Sequence, residues 1–97
     1  MSGANEAGPV RQRVTYHGRV QGVFFRATAA DLAQRFEVVG SVRNMPAGTV
    51  ELEAEGPPEE VAAFLAAVAE HFVQNIARDE RVSLPPRGDE TGFRVRY

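Results

Sequence analysis

Apolar and polar residues alternate over Arg11 to Gly18, where Val14 and Tyr16 are set against Arg13 and Thr15, and this period of two predicts a first strand. Thr49 to Glu55 alternates strictly, Val50, Leu52 and Ala54 against Glu51, Glu53 and Glu55, which predicts a half-buried strand with a solvent-facing acidic row. Val38 to Asn44 reads as its hairpin partner across the turn Met45-Pro46-Ala47-Gly48, and Phe93 to Tyr97 as a terminal strand. Between the first two strands the period changes. Phe25, Ala29, Leu32 and Phe36 form one apolar stripe and predict a helix over Arg26 to Phe36. Val61, Leu65, Val68 and Phe72 mark the buried face of a second helix, which opens at Gly56-Pro57-Pro58-Glu59-Glu60 and fades by Gln74. Its prolines fall where the first-turn N–H is unpaired in any case, and its acids face the positive end of the dipole. Arg81 to Leu84 reads as a short edge strand, blunted by Pro85-Pro86.

The order is β-α-β-β-α-β, the split-βαβ pattern of a ferredoxin-like α+β sandwich, with an antiparallel sheet and both helices packed on one face. A right-handed crossover joins the first strand to the second, and the third slots between them. A helix from Arg26 to Phe36 descends ~16 Å, and a strand from Gly40 to Asn44 climbs back ~13 Å. Asn44 is therefore expected to return to the level of the loop that follows the first strand.

Composition narrows the chemistry. At 97 residues the chain is long enough for one core and too short for two, so residues 11–97 are expected to form a single domain behind a disordered tail, 1–10. A formal net charge of −2 provides no general field for nucleic acid or an acidic membrane. With no cysteine and only two histidines, thiolate nucleophiles, disulfides and histidine- or cysteine-ligated metals are not expected. The start is small and polar, without the apolar run of a signal peptide, and no later run reaches membrane-spanning length; a cytoplasmic protein is the expectation.

The stretch that carries chemistry is Gly18-Arg19-Val20-Gln21-Gly22-Val23-Phe24-Phe25-Arg26. Glycine at two points lets consecutive N–H groups turn inward around one centre, the following helix adds its N-terminal N–H groups, and Arg26 adds a planar, charged donor fork. Phosphate fits such a cradle. The spacing matches neither G-x-G-x-x-G nor G-K-[ST], which argues against a dinucleotide or nucleoside triphosphate and for a smaller phosphorylated ligand. A carboxamide at Asn44 could accept a hydrogen bond from a water molecule and hold its oxygen toward the bound group.

The loop motif followed by Gly40-Ser41-Val42-Arg43-Asn44 resembles the paired signature of the acylphosphatase family, and the likeness extends from Val14 to Tyr97 through Gly48-Thr49-Val50-Glu51, Glu55-Gly56 and the ending Gly92-Phe93-Arg94-Val95-Arg96-Tyr97. The resemblance implies a small enzyme that hydrolyses acyl phosphates to a carboxylate and inorganic phosphate, with no cofactor and no metal. It implies that Arg26 and the loop amides of Arg19, Val20, Gln21, Gly22 and Val23 bind the phosphoryl group, and that Asn44 positions the attacking water. Two departures from the family pattern stand out: Ser41 replaces a bulky aromatic residue common among relatives, and Gln74-Asn75-Ile76-Ala77-Arg78 lacks their Gly-Pro turn. They bear on the acyl pocket and on the path of Arg78 to Pro86.

Other conspicuous residues are expected to have plainer roles. Strand alternation turns His17 away from the loop, His71 sits near a helix end, and Arg43 points to the sheet face opposite Asn44. Two rival functions share the scaffold. One is a catalytically weak phosphate-binding or partner-docking domain; the other, an RNA-recognition module, requires exposed aromatics on the third strand, where this chain carries acids and aliphatics. The expected partner is a small acyl phosphate, with inorganic phosphate as product, no nucleic acid, no membrane, and a monomeric state.

Overall fold

In the computed structural model, which describes residues 8–97, the chain runs β1 (Val10–Gly18), α1 (Phe25–Ala33), β2 (Val39–Asn44), β3 (Val50–Gly56), α2 (Pro58–His71), β4 (Ile76–Leu84) and β5 (Phe93–Arg96). Most of the expected tail, residues 1–7, lies outside the described residues. Val10 already pairs with Gly56.

The sheet order is β4-β1-β3-β2-β5, with β3 between β1 and β2 as expected. Alternation sorts the side chains. Val14 and Tyr16 of β1, Val42 of β2 and Val50, Leu52 and Ala54 of β3 are buried, together with Phe25, Ala29 and Ala33 of α1 and Val61, Phe64, Leu65 and Val68 of α2. α1 packs on β2 and β5, and α2 on β1 and β3. A nine-residue helix is marginal alone. α1 is held by docking: the Phe25 ring stacks on Phe72 at 4.3 Å and tilts against Tyr16 at 5.0 Å.

Four features differ from the pattern-based reading. The regular helix stops at Ala33 rather than Phe36, because its last turn tightens into bonds from Gln34, Arg35 and Phe36 to carbonyls three residues back. β4 starts at Ile76 rather than Arg81; its residues show no alternation because most are exposed, and its order comes from pairing with β1 from Arg11↔Leu84 to Gly18↔Ile76. β5 runs parallel to β2, so the sheet is mixed rather than wholly antiparallel. The reason is topological. β4 ends at one edge of the sheet, and the segment 85–92 crosses that end to the opposite edge, so β5 sets out from the end where β2 also begins.

The fourth concerns the acidic row, which does not simply face solvent. Glu55 is only 5 % exposed. Arg11, itself buried, donates to Glu53, Glu55 and Glu90, while the backbone N–H groups of Arg87 and Gly88 donate to Glu55 at 2.8 and 2.9 Å. This cluster fastens the 85–92 crossing to the outer face of the sheet. Burial opposes the charge on Glu55, yet the Arg87 N–H, Arg11 and the Gly88 N–H outweigh it and hold its carboxyl below the usual range. Glu53 is likewise held down, against burial, by Arg11 and Arg13.

Candidate active site

β1 ends where its ladder with β4 shifts register between His17 and Gly18. Gly18 has φ 127, and a Cβ there would stand 2.3 Å from the Asn75 carbonyl oxygen, so no side chain fits. One expectation is corrected here. The Arg19 N–H does not face an anion; it donates to that same Asn75 carbonyl at 2.9 Å, anchoring the loop to the start of β4. The cradle therefore begins at Val20. Among the described residues, the N–H groups of Val20, Gln21, Gly22 and Val23 donate to no protein acceptor. Gly22 has φ 76 and Phe24 φ 62, the turn that brings the chain into α1.

α1 carries no acid in its first turn and no side-chain cap, so the positive end of its dipole faces the loop uncompensated. Arg26 is fixed from two sides. Its Nη1 donates to the Arg96 carbonyl at 3.1 Å, and its guanidinium lies 4.6 Å over the Tyr97 ring. Asn44 ends β2 on the same side of the sheet as Val42, and it joins Val20, Gly22 and Arg26 in the lining of one cleft of about 330 Å³. Phe24, Val95 and Tyr97 complete its apolar side.

Sequence reasoning missed two contributors. The Gln21 side chain turns away from the cradle and donates from Nε2 to the Met45 carbonyl at 2.8 Å and the Thr49 carbonyl at 2.9 Å, tying the loop to the hairpin that carries Asn44. A glutamine that neighbours a glycine in a loop hints at such a clamp, but its partners follow only from the fold. The second is Tyr97, which alternation marked only as a strand end.

The residues expected to be bystanders are placed elsewhere. His17 bonds Glu80 at 2.8 Å on the outer face, and that bond, with the nearby Arg78 charge, lowers the Glu80 carboxyl. Arg43 bonds Glu51 on the same face. Ser41 also lies there, opposite Glu53 and Arg94, and does not line the cleft. Among the described residues no group of three or more His, Cys, Asp or Glu side chains could hold a metal ion.

The molecule is thus a ferredoxin-like α+β sandwich with unpartnered loop N–H groups, an arginine and an amide gathered at one end of its sheet. The acylphosphatase family model matches residues 12–95. An acylphosphatase of Anaeromyxobacter dehalogenans is 42 % identical over 94 residues, covering 94 % of this chain and 99 % of that protein. The crystal structure of acylphosphatase from Bacillus subtilis superposes with a TM-score of 0.80 at 27 % identity, over 91 % of this chain and 99 % of that one. An acylphosphatase from Coxiella burnetii gives a TM-score of 0.80 at 28 % identity, over 94 % and 96 %. The chain belongs to the acylphosphatase family. It is an enzyme that hydrolyses acyl phosphates, releasing a carboxylate and inorganic phosphate.

Proposed function

We propose that the domain, residues 11–97, performs this hydrolysis with Arg26 and the amides of Val20, Gln21, Gly22 and Val23 holding the phosphoryl group and Asn44 holding the attacking water. The observation that carries the reading is the convergence of Arg26, Asn44 and the unpartnered loop amides on one cleft. Water oxygen attacks phosphorus as the bond from phosphorus to the acyl oxygen breaks, and the electron pair leaves with the carboxylate. A carboxylate is already a good leaving group, so little general-acid help is needed there. Charge in a loose phosphoryl-transfer transition state spreads over the equatorial oxygens, where preorganised N–H donors and a guanidinium act. Neither arginine nor amide is a base; the water proton passes to phosphate or to solvent. In this scheme the enzyme works without a metal or cofactor, as a cytoplasmic monomer that engages neither nucleic acid nor membrane.

Asn44→Ala tests the division of labour. Removing a group that aims water costs the transition state and little ground-state binding, so kcat should fall by on the order of 10² or more, with inhibition by inorganic phosphate nearly unchanged. A folded variant with native turnover and a lowered Tm would make Asn44 a turn residue. Dialysis against a chelator should leave the native rate unchanged; loss of activity restored by a divalent ion would overturn the metal-free scheme.

A further inference from the structure

On the outer face of the sheet, away from both helices, arginines and carboxylates pair off across the strands. Arg11 meets Glu53, Glu55 and Glu90, Arg13 meets Glu53, Arg43 meets Glu51, and Arg87 meets Asp89. Two arginines on this face stand apart. Among the described residues, the side chains of Arg94 and Arg96 have neither a carboxylate partner nor a hydrogen-bond acceptor. They are two positions apart on β5, so both leave the same face of the strand, roughly 7 Å apart at the backbone. The ladder with β2 sets Arg94 beside Ser41, which is only 8 % exposed. Together with Arg87 and Thr91 these residues line a second cavity, of about 410 Å³. Its acids, Glu53, Asp89 and Glu90, are already answered by Arg11, Arg13 and Arg87. The uncompensated charge is therefore that of Arg94 and Arg96, two positive charges at one concave surface.

We propose that this outer cavity binds a dianionic phosphate group, free or as a monoester, and that its occupancy steadies the strand on which Arg26 depends. Two planar guanidinium forks match the several oxygens of a phosphate and its double charge, and the Ser41 and Thr91 hydroxyls add donors beside them. β5 is a four-residue edge strand paired only with β2, which sets it at the low end of local stability. Its backbone nevertheless holds a residue of the cleft on the other face: the Arg96 carbonyl accepts from Arg26 Nη1. A ligand that binds only the docked strand raises the population of that state by mass action, and with it the share of molecules in which Arg26 is aimed. Binding at the outer face is independent of the cradle, whereas its benefit to turnover rests on the proposed role of Arg26.

Amide NMR of the full chain, titrated with inorganic phosphate at constant ionic strength, reads both faces at once. The amides of Ser41, Arg94 and Arg96 should follow a binding curve of their own, distinct from that of Val20, Gln21, Gly22 and Val23, and hydrogen exchange across β5 should slow several-fold as the outer curve saturates. Arg94→Gln and Arg94→Glu should weaken the outer curve by on the order of tenfold or more, leave the cradle curve in place, and abolish the slowing of exchange. Glycerol phosphate in place of inorganic phosphate identifies the source: tighter binding at Ser41 and Arg94 assigns the cavity to an organic monoester, equal binding to phosphate itself. Outer amides that respond to phosphate no more than to chloride, or an outer curve that survives Arg94→Glu, overturn the proposal. Slowed exchange that persists in Arg94→Glu would show β5 being steadied from the cleft through Arg26, and overturns the coupling. The two faces fail separately: silent Val20 to Val23 amides beside a titrating Ser41 remove the cradle alone, and the reverse removes the outer site alone.

Discussion

Arg26 does two jobs that a lysine cannot combine. One edge of its guanidinium is spent on the Arg96 carbonyl and its face on the Tyr97 ring, which leaves the remaining N–H donors fixed in a plane toward the cleft. A lysine ammonium is a point charge without that planar fork, and it stacks less well on an aromatic face. Arg26→Lys should therefore weaken inhibition by inorganic phosphate and lower turnover together, each by on the order of tenfold or more. Inhibition assays on the folded variant check this; native phosphate affinity would leave the loop amides as the sole anion site. His17 offers no competing chemistry, since its ring is engaged with Glu80 on the far face of the sheet.

At the scale of elements, the site depends on two joints. At the first, β1 hands the chain to the loop at Gly18, with the Asn75 carbonyl pressed against the position a Cβ would take. Gly18→Ala must either push β4 away or break the Arg19 anchor, and should destabilise the protein by about 3 kcal/mol in urea unfolding. The second joint is Gln21. Its amide grips the Met45 and Thr49 carbonyls, the same pair of residues joined by the Met45 N–H to Thr49 bond at 2.9 Å, directly after Asn44. Gln21→Met keeps the side-chain length and removes both donors. It should lower kcat several-fold in the native background and have little further effect on Asn44→Ala, because both changes act through one amide. Additive losses in that double-mutant cycle would show Gln21 acting on the cradle instead.

Across the whole molecule, the polar cluster around Arg11 links the start of β1, the end of β3 and the 85–92 crossing that delivers β5, and so stands behind Tyr97 and Arg26 at one remove. Its electrostatics set an acid limit. Glu53 and Glu55 both ionise below their ordinary value of 4.5 in the folded state, so their stabilisation is fully present above about that pH and is lost as pH falls through the lowered folded values. Arg11 shifts upward: burial favours its neutral form, but its bonds to Glu90, Glu55 and Glu53 win, so it stays charged wherever the protein is assayed. Melting temperature should hold steady from neutrality to about pH 5 and drop steeply below 4.5. Glu55→Gln should lower Tm at pH 7 and flatten the acid drop, since one of the two titrating partners is gone. An unchanged acid slope would place the acid-sensitive groups elsewhere.

Local pattern alone determined much of this protein. Period-two stretches placed β1, β2, β3 and β5 to within about a residue or two, and the stripes Phe25–Ala29 and Val61–Leu65–Val68–Phe72 placed both helices, because burial on one face writes itself into spacing. Helix and strand rise also bring Asn44 back to the level of the loop that ends in Arg26, and in the fold the two line one cleft. What depended on partners distant in sequence was decided only by the tertiary structure. β4 is strand because β1 offers it a ladder, not because Ile76–Leu84 alternates. β5 is parallel because of the route taken by 85–92, and that route is held by Arg11 and Glu55, 44 positions apart. The Arg19 N–H left the cradle because Asn75 came within reach of it, and Glu55, read from alternation as a solvated acid, went inside because a buried arginine and two backbone amides met it there. Spacing records which face a residue shows; which group waits on that face is a property of the assembled fold.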